Sequence, residues 1–230
     1  MPRWLSATLM ATVVAWGSAA PPASAGHGGS HSLPVIPVGE QVGLAVGAPG
    51  VAPSSHPPQQ QPGHSAQPAK QRFWVHDKHR YRSPWYAGAR RKMVAFGCTR
   101  APYYDPDPRC ADKHGFHHGL DLAMPCGTPL YAGYRTRVVD PQSTGSLGAA
   151  YGPWAFRLRN GRFHKDFVIG HVRHVYVEPG DVVTRGQLIA RASDAGAPDG
   201  CHLHFEARPR AGGYQSAVAP YRFLRLQREG

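Results

Sequence analysis

The chain has 230 residues and carries 26 Lys or Arg against 14 Asp or Glu, a formal charge of +12. That length admits one or two domains, and the basic balance favours an anionic partner. Past the N-terminus no second long apolar run occurs, so the mature chain is expected to be soluble.

Residues 1–25 read as a secretory signal. Arg3 gives the positive start, Trp4 to Trp16 the short apolar run, Pro21 and Pro22 the break, and Ala23-Ser24-Ala25 a small-residue cleavage site. An uncleaved anchor is the alternative, although the run falls short of the roughly 20 apolar residues of a bilayer span. The first cysteine is Cys98, so a lipid-modified bacterial N-terminus is excluded. Behind a signal, the positive charge points away from nucleic acid and from stable membrane insertion. It points toward a bacterial wall, with its carboxylates and phosphates, or toward a lipid surface. A generally basic surface would leave the same composition.

Residues 26–70 are built of Gly, Pro, Ser, Gln, Ala and His, with one acid, Glu40, and one base, Lys70. Such a stretch buries too little apolar surface to fold and is expected to be a disordered linker. Residues 71–97 turn aromatic and basic, with Phe73, Trp74, Tyr81, Trp85 and Tyr86 among Arg and Lys. They are expected to form an arm packed on a single domain spanning residues 98–230.

Four cysteines, Cys98, Cys110, Cys126 and Cys201, fall in what the signal makes an oxidising compartment. Their even number suggests two disulfides among three connectivities. Zinc ligation by cysteine is the alternative, but no Cys-x-x-Cys occurs.

From Gly115 onward short strand-sized runs alternate with Gly, Pro and Asp. They are Phe116–Leu122, Leu130–Ala132, Thr136–Val139, Trp154–Leu158, Phe167–Val172, Leu188–Ala192 and His202–Ala207. None keeps a helical period, so the expected fold is all-β, a compact antiparallel sheet or sandwich-like barrel. The run Val177–Ile189 has the Gly-x-x-Val-x-x-Gly-x-x-Ile rhythm of very short strands joined by tight turns. Biotinyl and lipoyl carriers share that rhythm, but no lysine follows Lys165, so the carrier reading fails.

Two stretches carry chemistry. In His117-His118-Gly119-Leu120-Asp121 a histidine and an aspartate form a nitrogen–oxygen donor pair suited to zinc. Positions i and i+4 lie about 13 Å apart on a regular strand, too far for one ion. We therefore expect His117 in a bend entering the strand, with Gly119 permitting close approach and His118 pointing elsewhere. In Cys201-His202-Leu203-His204-Phe205-Glu206 the alternation is strict. A strand would put His202, His204 and Glu206 on one face and Leu203 and Phe205 on the other. A half-buried strand with solvated histidines is the plainer alternative. His171 ends the apolar run Phe167–Gly170, while His164 and His174 could equally lie on the surface.

In order, His117-x-Gly-x-Asp121, Pro125-x-Gly-Thr-Pro129, His171, Gly180-x-x-Val-x-x-Gly186-Gln-x-Ile189 and His202-Leu-His204-Phe-Glu206 resemble the lysostaphin-type, or LytM-like, zinc endopeptidases. The resemblance covers residues 115–208. It implies zinc on His117, Asp121 and His204, and catalytic roles for His171 and His202. It also implies a compact antiparallel β core with a groove, of the duplicated hybrid motif type, and the peptides of bacterial peptidoglycan as substrate. Three protein ligands leave zinc an open position, and imidazoles can accept and donate protons near neutrality. No His-Glu-x-x-His helix is present to supply a glutamate base.

Two departures bear on the groove rather than the ligands. Ile169 stands where the family often has an aromatic residue, and Ala197-Pro198-Asp199-Gly200-Cys201 replaces its usual Ser-Thr-Gly turn. Tyr103 or Tyr104 is a candidate for the family tyrosine that assists the tetrahedral intermediate. The segments carrying Asp121 and His202 would have to meet at zinc, so Cys126–Cys201 is the expected bridge, leaving Cys98–Cys110. The expectation is a secreted or wall-associated, monomeric zinc endopeptidase. The alternative is an inactive relative that binds the wall or activates another hydrolase; such relatives lose ligands, and all five positions are filled here.

Overall fold

The computed structural model describes residues 70–140 and 147–230. The expected signal and the linker up to residue 69 lie outside the described residues. Among the described residues, fourteen short strands carry the fold. In chain order they are β1 (Arg80–Ser83), β2 (Tyr86–Lys92), β3 (Gly97–Thr99), β4 (Gly115–His117), β5 (Leu120–Ala123), β6 (Pro129–Tyr131) and β7 (Thr136–Asp140). Then follow β8 (Phe156–Asn160), β9 (Lys165–Gly170), β10 (Val172–Arg173), β11 (Val182–Val183), β12 (Leu188–Ala192), β13 (His202–Pro209) and β14 (Gln227–Arg228). One four-residue helix, α1 (Tyr221–Leu224), lies among the described residues. The all-β expectation holds: one large curled antiparallel sheet runs β10-β12-β6-β2-β5-β13-β9-β8-β7-β11, with β1 and β14 off its path and β3 and β4 forming a separate ribbon.

Three expected runs change at their ends for identifiable reasons. Phe116–Leu122 is cut by a bend at His118 and Gly119 into β4 and β5. Phe167–Val172 is interrupted at His171, whose φ of 52° lies in the left-handed region and takes it out of the ladder. Trp154 belongs to the turn before β8, so that strand starts at Phe156.

Residues 80–92, read as an arm ahead of the domain, run as β1 and β2, and β2 lies inside the main sheet between β6 and β5. Trp85 is almost wholly buried. Its ring meets those of Phe205 at 4.8 Å, Phe167 at 5.5 Å and Tyr134 at 6.0 Å, and its indole N–H donates to the Phe223 carbonyl at 2.9 Å. The basic composition hid this strand because its long side chains cover apolar surface while carrying charge. The Arg91 guanidinium lies 4.1 Å from the Phe73 ring centre, and the Lys92 ammonium 4.3 Å from that of Tyr81.

On β13, Leu203 and Phe205 join this core, as the alternation required. The disulfides are Cys98–Cys110 and Cys126–Cys201, with Cα atoms 5.5 and 5.2 Å apart. The second ties the end of β5 to the start of β13 and closes a 75-residue separation.

Trp85→Ala should cost about 3–5 kcal/mol of folding stability, the range for emptying a core aromatic site. Chemical denaturation of the oxidised protein measures it; an unchanged midpoint would mean that β2 is peripheral.

Candidate metal centre

The centre is set by strand register. β5 and β13 are antiparallel with His204 opposite Asp121 and His202 opposite Ala123. Directly opposed residues project to the same face, so the aspartate meets the histidine side chain to side chain. The His204 Nδ1 to Asp121 Oδ1 distance is 2.8 Å. The bend at His118 and Gly119 separates β4 from β5. It brings His117 Nε2 to 3.3 Å from the same carboxylate oxygen and 3.2 Å from His204 Nδ1. Only glycine fits the bend: a Cβ at Gly119 would stand 2.6 Å from His204 Cε1 and 2.9 Å from the Phe205 carbonyl oxygen. One ligand atom from each of His117, Asp121 and His204 falls within 4.8 Å of the other two, and all three residues are buried.

The outer ring nitrogens fix the donors. His117 Nδ1 lies 3.0 Å from the Ala95 carbonyl oxygen, which can only accept, so the proton sits on Nδ1 and Nε2 turns its lone pair inward. His204 Nε2 lies 2.9 Å from Glu206 Oε1, which leaves Nδ1 as the inward atom. Burial penalises charge on His204, but the carboxylates of Asp121 and Glu206 outweigh it and hold the imidazole pKa at about 9. Burial likewise opposes charge on Asp121, yet the surrounding histidines keep the carboxyl well below its usual range. A buried anion facing two inward imidazole nitrogens is a donor set that fits a divalent cation.

Two further histidines line the same place. His202 Nδ1 donates to the Gly200 carbonyl at 2.8 Å, which turns Nε2 inward. That Nε2 is buried without a hydrogen-bond partner, 3.6 Å from Asp121 Oδ1. His171 Nδ1 donates to the Ala195 carbonyl at 2.8 Å, and its ring centre lies 4.4 Å from that of His202. Burial, reinforced by the neighbouring imidazoles, pushes His171 well below the usual histidine value; burial also lowers His202, partly offset by Asp121. Both rings are therefore neutral at pH 7, ready to accept a proton. All five expected residues are brought together, and the solvated-histidine alternative for β13 fails on burial.

His118 points away, beside Arg109, Phe116 and Tyr214. Tyr104 stacks near His117, with ring centres 5.2 Å apart, whereas the Tyr103 hydroxyl donates to Asp199.

Sequence reasoning placed Glu206 on the right face without giving it a task. Arg208 continues the same alternation: its Nε donates to Glu206 Oε2 at 2.5 Å and its Nη2 to the Tyr151 hydroxyl at 2.8 Å. Tyr151 in turn donates to Glu206 Oε1 at 2.8 Å. Burial would raise the Glu206 pKa, but His204 and Arg208 bring it down to about 2, so it stays an anion behind His204. The i, i+2 spacing could have flagged Glu206 and Arg208; nothing local could have flagged Tyr151.

A curled antiparallel sheet thus carries a buried His–Asp–His set with two further buried histidines beside it. Residues 115–220 match the model of peptidase family M23. Similar proteins include lysostaphin of Staphylococcus simulans, 28% identical over 111 residues, which cover 48% of this chain and 22% of that protein. Another is the peptidoglycan DD-endopeptidase ShyA of Vibrio cholerae, 31% identical over 93 residues, covering 39% and 20%. The chain thus spans about a fifth of the length of these curated relatives. Among solved structures, the catalytic domain of lysostaphin from Staphylococcus simulans is 25% identical with a TM-score of 0.47, covering 59% of this chain and 92% of that one.

Glu206→Gln should weaken Zn²⁺ affinity about 10–100-fold, the usual cost of losing a carboxylate behind a ligating histidine. Competition with a chromogenic chelator measures it, and an unchanged affinity would show that Glu206 serves the fold alone.

Proposed function

We propose that this chain is an exported, zinc-dependent endopeptidase that hydrolyses peptide bonds in bacterial peptidoglycan. The observation that carries the reading is the convergence of the three inward donors with two neutral, inward-facing histidines. His117 Nε2, the Asp121 carboxylate and His204 Nδ1 would hold the ion. When bound, zinc supplies Lewis acidity at a scissile carbonyl and acidifies water.

The chain's own residues supply the rest. Glu206, held by Arg208 and Tyr151, keeps the Nε2 proton of His204 and so commits Nδ1 to the centre. The Gly200 carbonyl does the same for His202 and the Ala195 carbonyl for His171. His202 Nε2, without a partner, accepts a proton from the attacking water. The His171–His202 pair returns it to the leaving amine, so no proton is lost over the cycle. The low dielectric of a buried site strengthens each of these interactions. The relatives named above are a peptidoglycan DD-endopeptidase and lysostaphin, which supports a wall-peptide substrate. The two disulfides support an oxidising compartment, and no helix among the described residues is long and apolar enough to cross a membrane.

His204→Ala should lose both zinc and activity. His202→Ala and His171→Ala should each keep close to one zinc per chain and lose about 10²–10⁴-fold in rate. His118→Ala should be nearly silent. Metal analysis, together with mass spectrometry of fragments released from defined muropeptides, reads both quantities. Zinc lost from His202→Ala but kept in His204→Ala would reverse the two roles, and no cleavage by the zinc-loaded protein would overturn the function.

A further inference from the structure

Beside the metal centre lies a cavity of about 520 Å³ that the reaction above does not use. Arg80, Arg90 and Arg91 line it, with Gln71, Phe73 and the Cys126–Cys201 bridge, and no acidic residue does. The sheet register connects it to the site. Arg80 on β1 opposes Arg91 on β2, Arg91 opposes Ala123 on β5, and Ala123 opposes His202 on β13. Each step joins directly opposed positions, so two guanidiniums and a proton-handling imidazole share one row on one face.

These arginines are short of partners. None of the three forms an ion pair among the described residues, and Arg91 Nε is buried with no hydrogen bond. The Arg91 guanidinium is held against Phe73, whose ring centre is 4.1 Å away. Arg90 uses its Nε on the Ala87 carbonyl at 3.0 Å, and Arg80 makes one long contact of 3.4 Å to the Ala89 carbonyl. Burial lowers the Arg90 pKa, and the charge of Arg80 lowers it further, so the cations repel. An anion seated between them relieves that repulsion. Gln71 is tied to the Met124 and Cys201 carbonyls at 2.8 and 2.9 Å, which fixes the opposite wall.

We propose that this cavity is a subsite that binds a carboxylate of the peptide being cleaved, with Arg91 and Arg80 as its specificity-determining residues. The proposal rests on the peptidase reading above. Two strand spacings separate Arg91 from His202, roughly 10 Å, and an extended peptide advances about 3.3 Å per residue. The carboxylate recognised is therefore about three residues from the scissile bond. The planar guanidinium fork suits a carboxylate, which accepts two parallel hydrogen bonds. Continuity with the catalytic row favours a group on the substrate itself over a separate wall phosphate polymer. Arg80, Arg90, Arg91 and Phe73 all precede residue 115, so the basic wall of the cavity comes from outside the matched segment while Ala123 to Cys126 and Cys201 form the rest.

The test uses the full chain and two wall stem peptides that differ in a single carboxylate, free in one and amidated in the other. Cleavage rates are measured with zinc present. Binding is measured by titration to the metal-stripped protein, with glycerol phosphate as competitor. The wild type should prefer the free carboxylate by about 10–100-fold, the worth of a hydrogen bond to a charged group. Arg91→Gln with Arg80→Gln should abolish that preference, so that the free and amidated peptides are cleaved at equal rates, and Arg91→Lys should restore part of it. Equal handling of the two peptides by the wild type would overturn the subsite, as would a preference that survives the double substitution. Displacement by glycerol phosphate with no carboxylate preference would assign the cavity to a phosphate polymer and also overturn it. Preferential binding without cleavage would support the subsite and count against the peptidase reading, so the two failures are distinguishable.

Discussion

Everything at the metal centre depends on the pairing of β5 with β13. That register sets Asp121 opposite His204 and draws an anion and an imidazole into a water-poor interior. A lone buried carboxylate would be costly there, because removing it from water is not repaid by packing. It is tolerated because His117, His202 and His204 surround it. The Cys126–Cys201 bridge lies at the end of the same pair of strands, so the covalent tie and the ligand register reinforce one another.

Around this pairing the polar groups are arranged in layers. His202, His204, Glu206 and Arg208 occupy successive same-face positions of one strand. The outward nitrogens of His117, His171 and His202 end on backbone carbonyls, while that of His204 ends on a carboxylate. The carboxylates of Asp121 and Glu206 hold His204 above the usual histidine value, whereas burial keeps His171 and His202 below it. One fold thus pushes similar side chains in opposite directions by what it places behind them.

The strands ahead of the matched segment contribute more than coverage. β2 supplies Trp85 to the centre of the core and sets Arg91 in register with Ala123, which itself opposes His202. Its neighbour β1 is held on its other side by β14, so the chain closes on itself near the C-terminus.

Much of the site was legible in the sequence because the relevant information is local. Alternation in residues 202–206 sorted the side chains into two faces. The spacing from His117 to Asp121 demanded a bend, and Gly119 marked where it falls. The family resemblance then supplied the roles and, through them, the disulfide pairing. What periodicity does not encode is which distant segment lies opposite. Tyr151 and Glu206 meet across 55 positions, and Arg80, Arg91 and His202 share a row only because three separate pairings line up. For β2, the basic side chains that made the segment look like an arm laid on the domain cover apolar surface within the sheet. Local sequence determined which groups share a face; the order of strands in the sheet, fixed by burial of Trp85, Phe167 and Phe205 together, decided which of those faces meet.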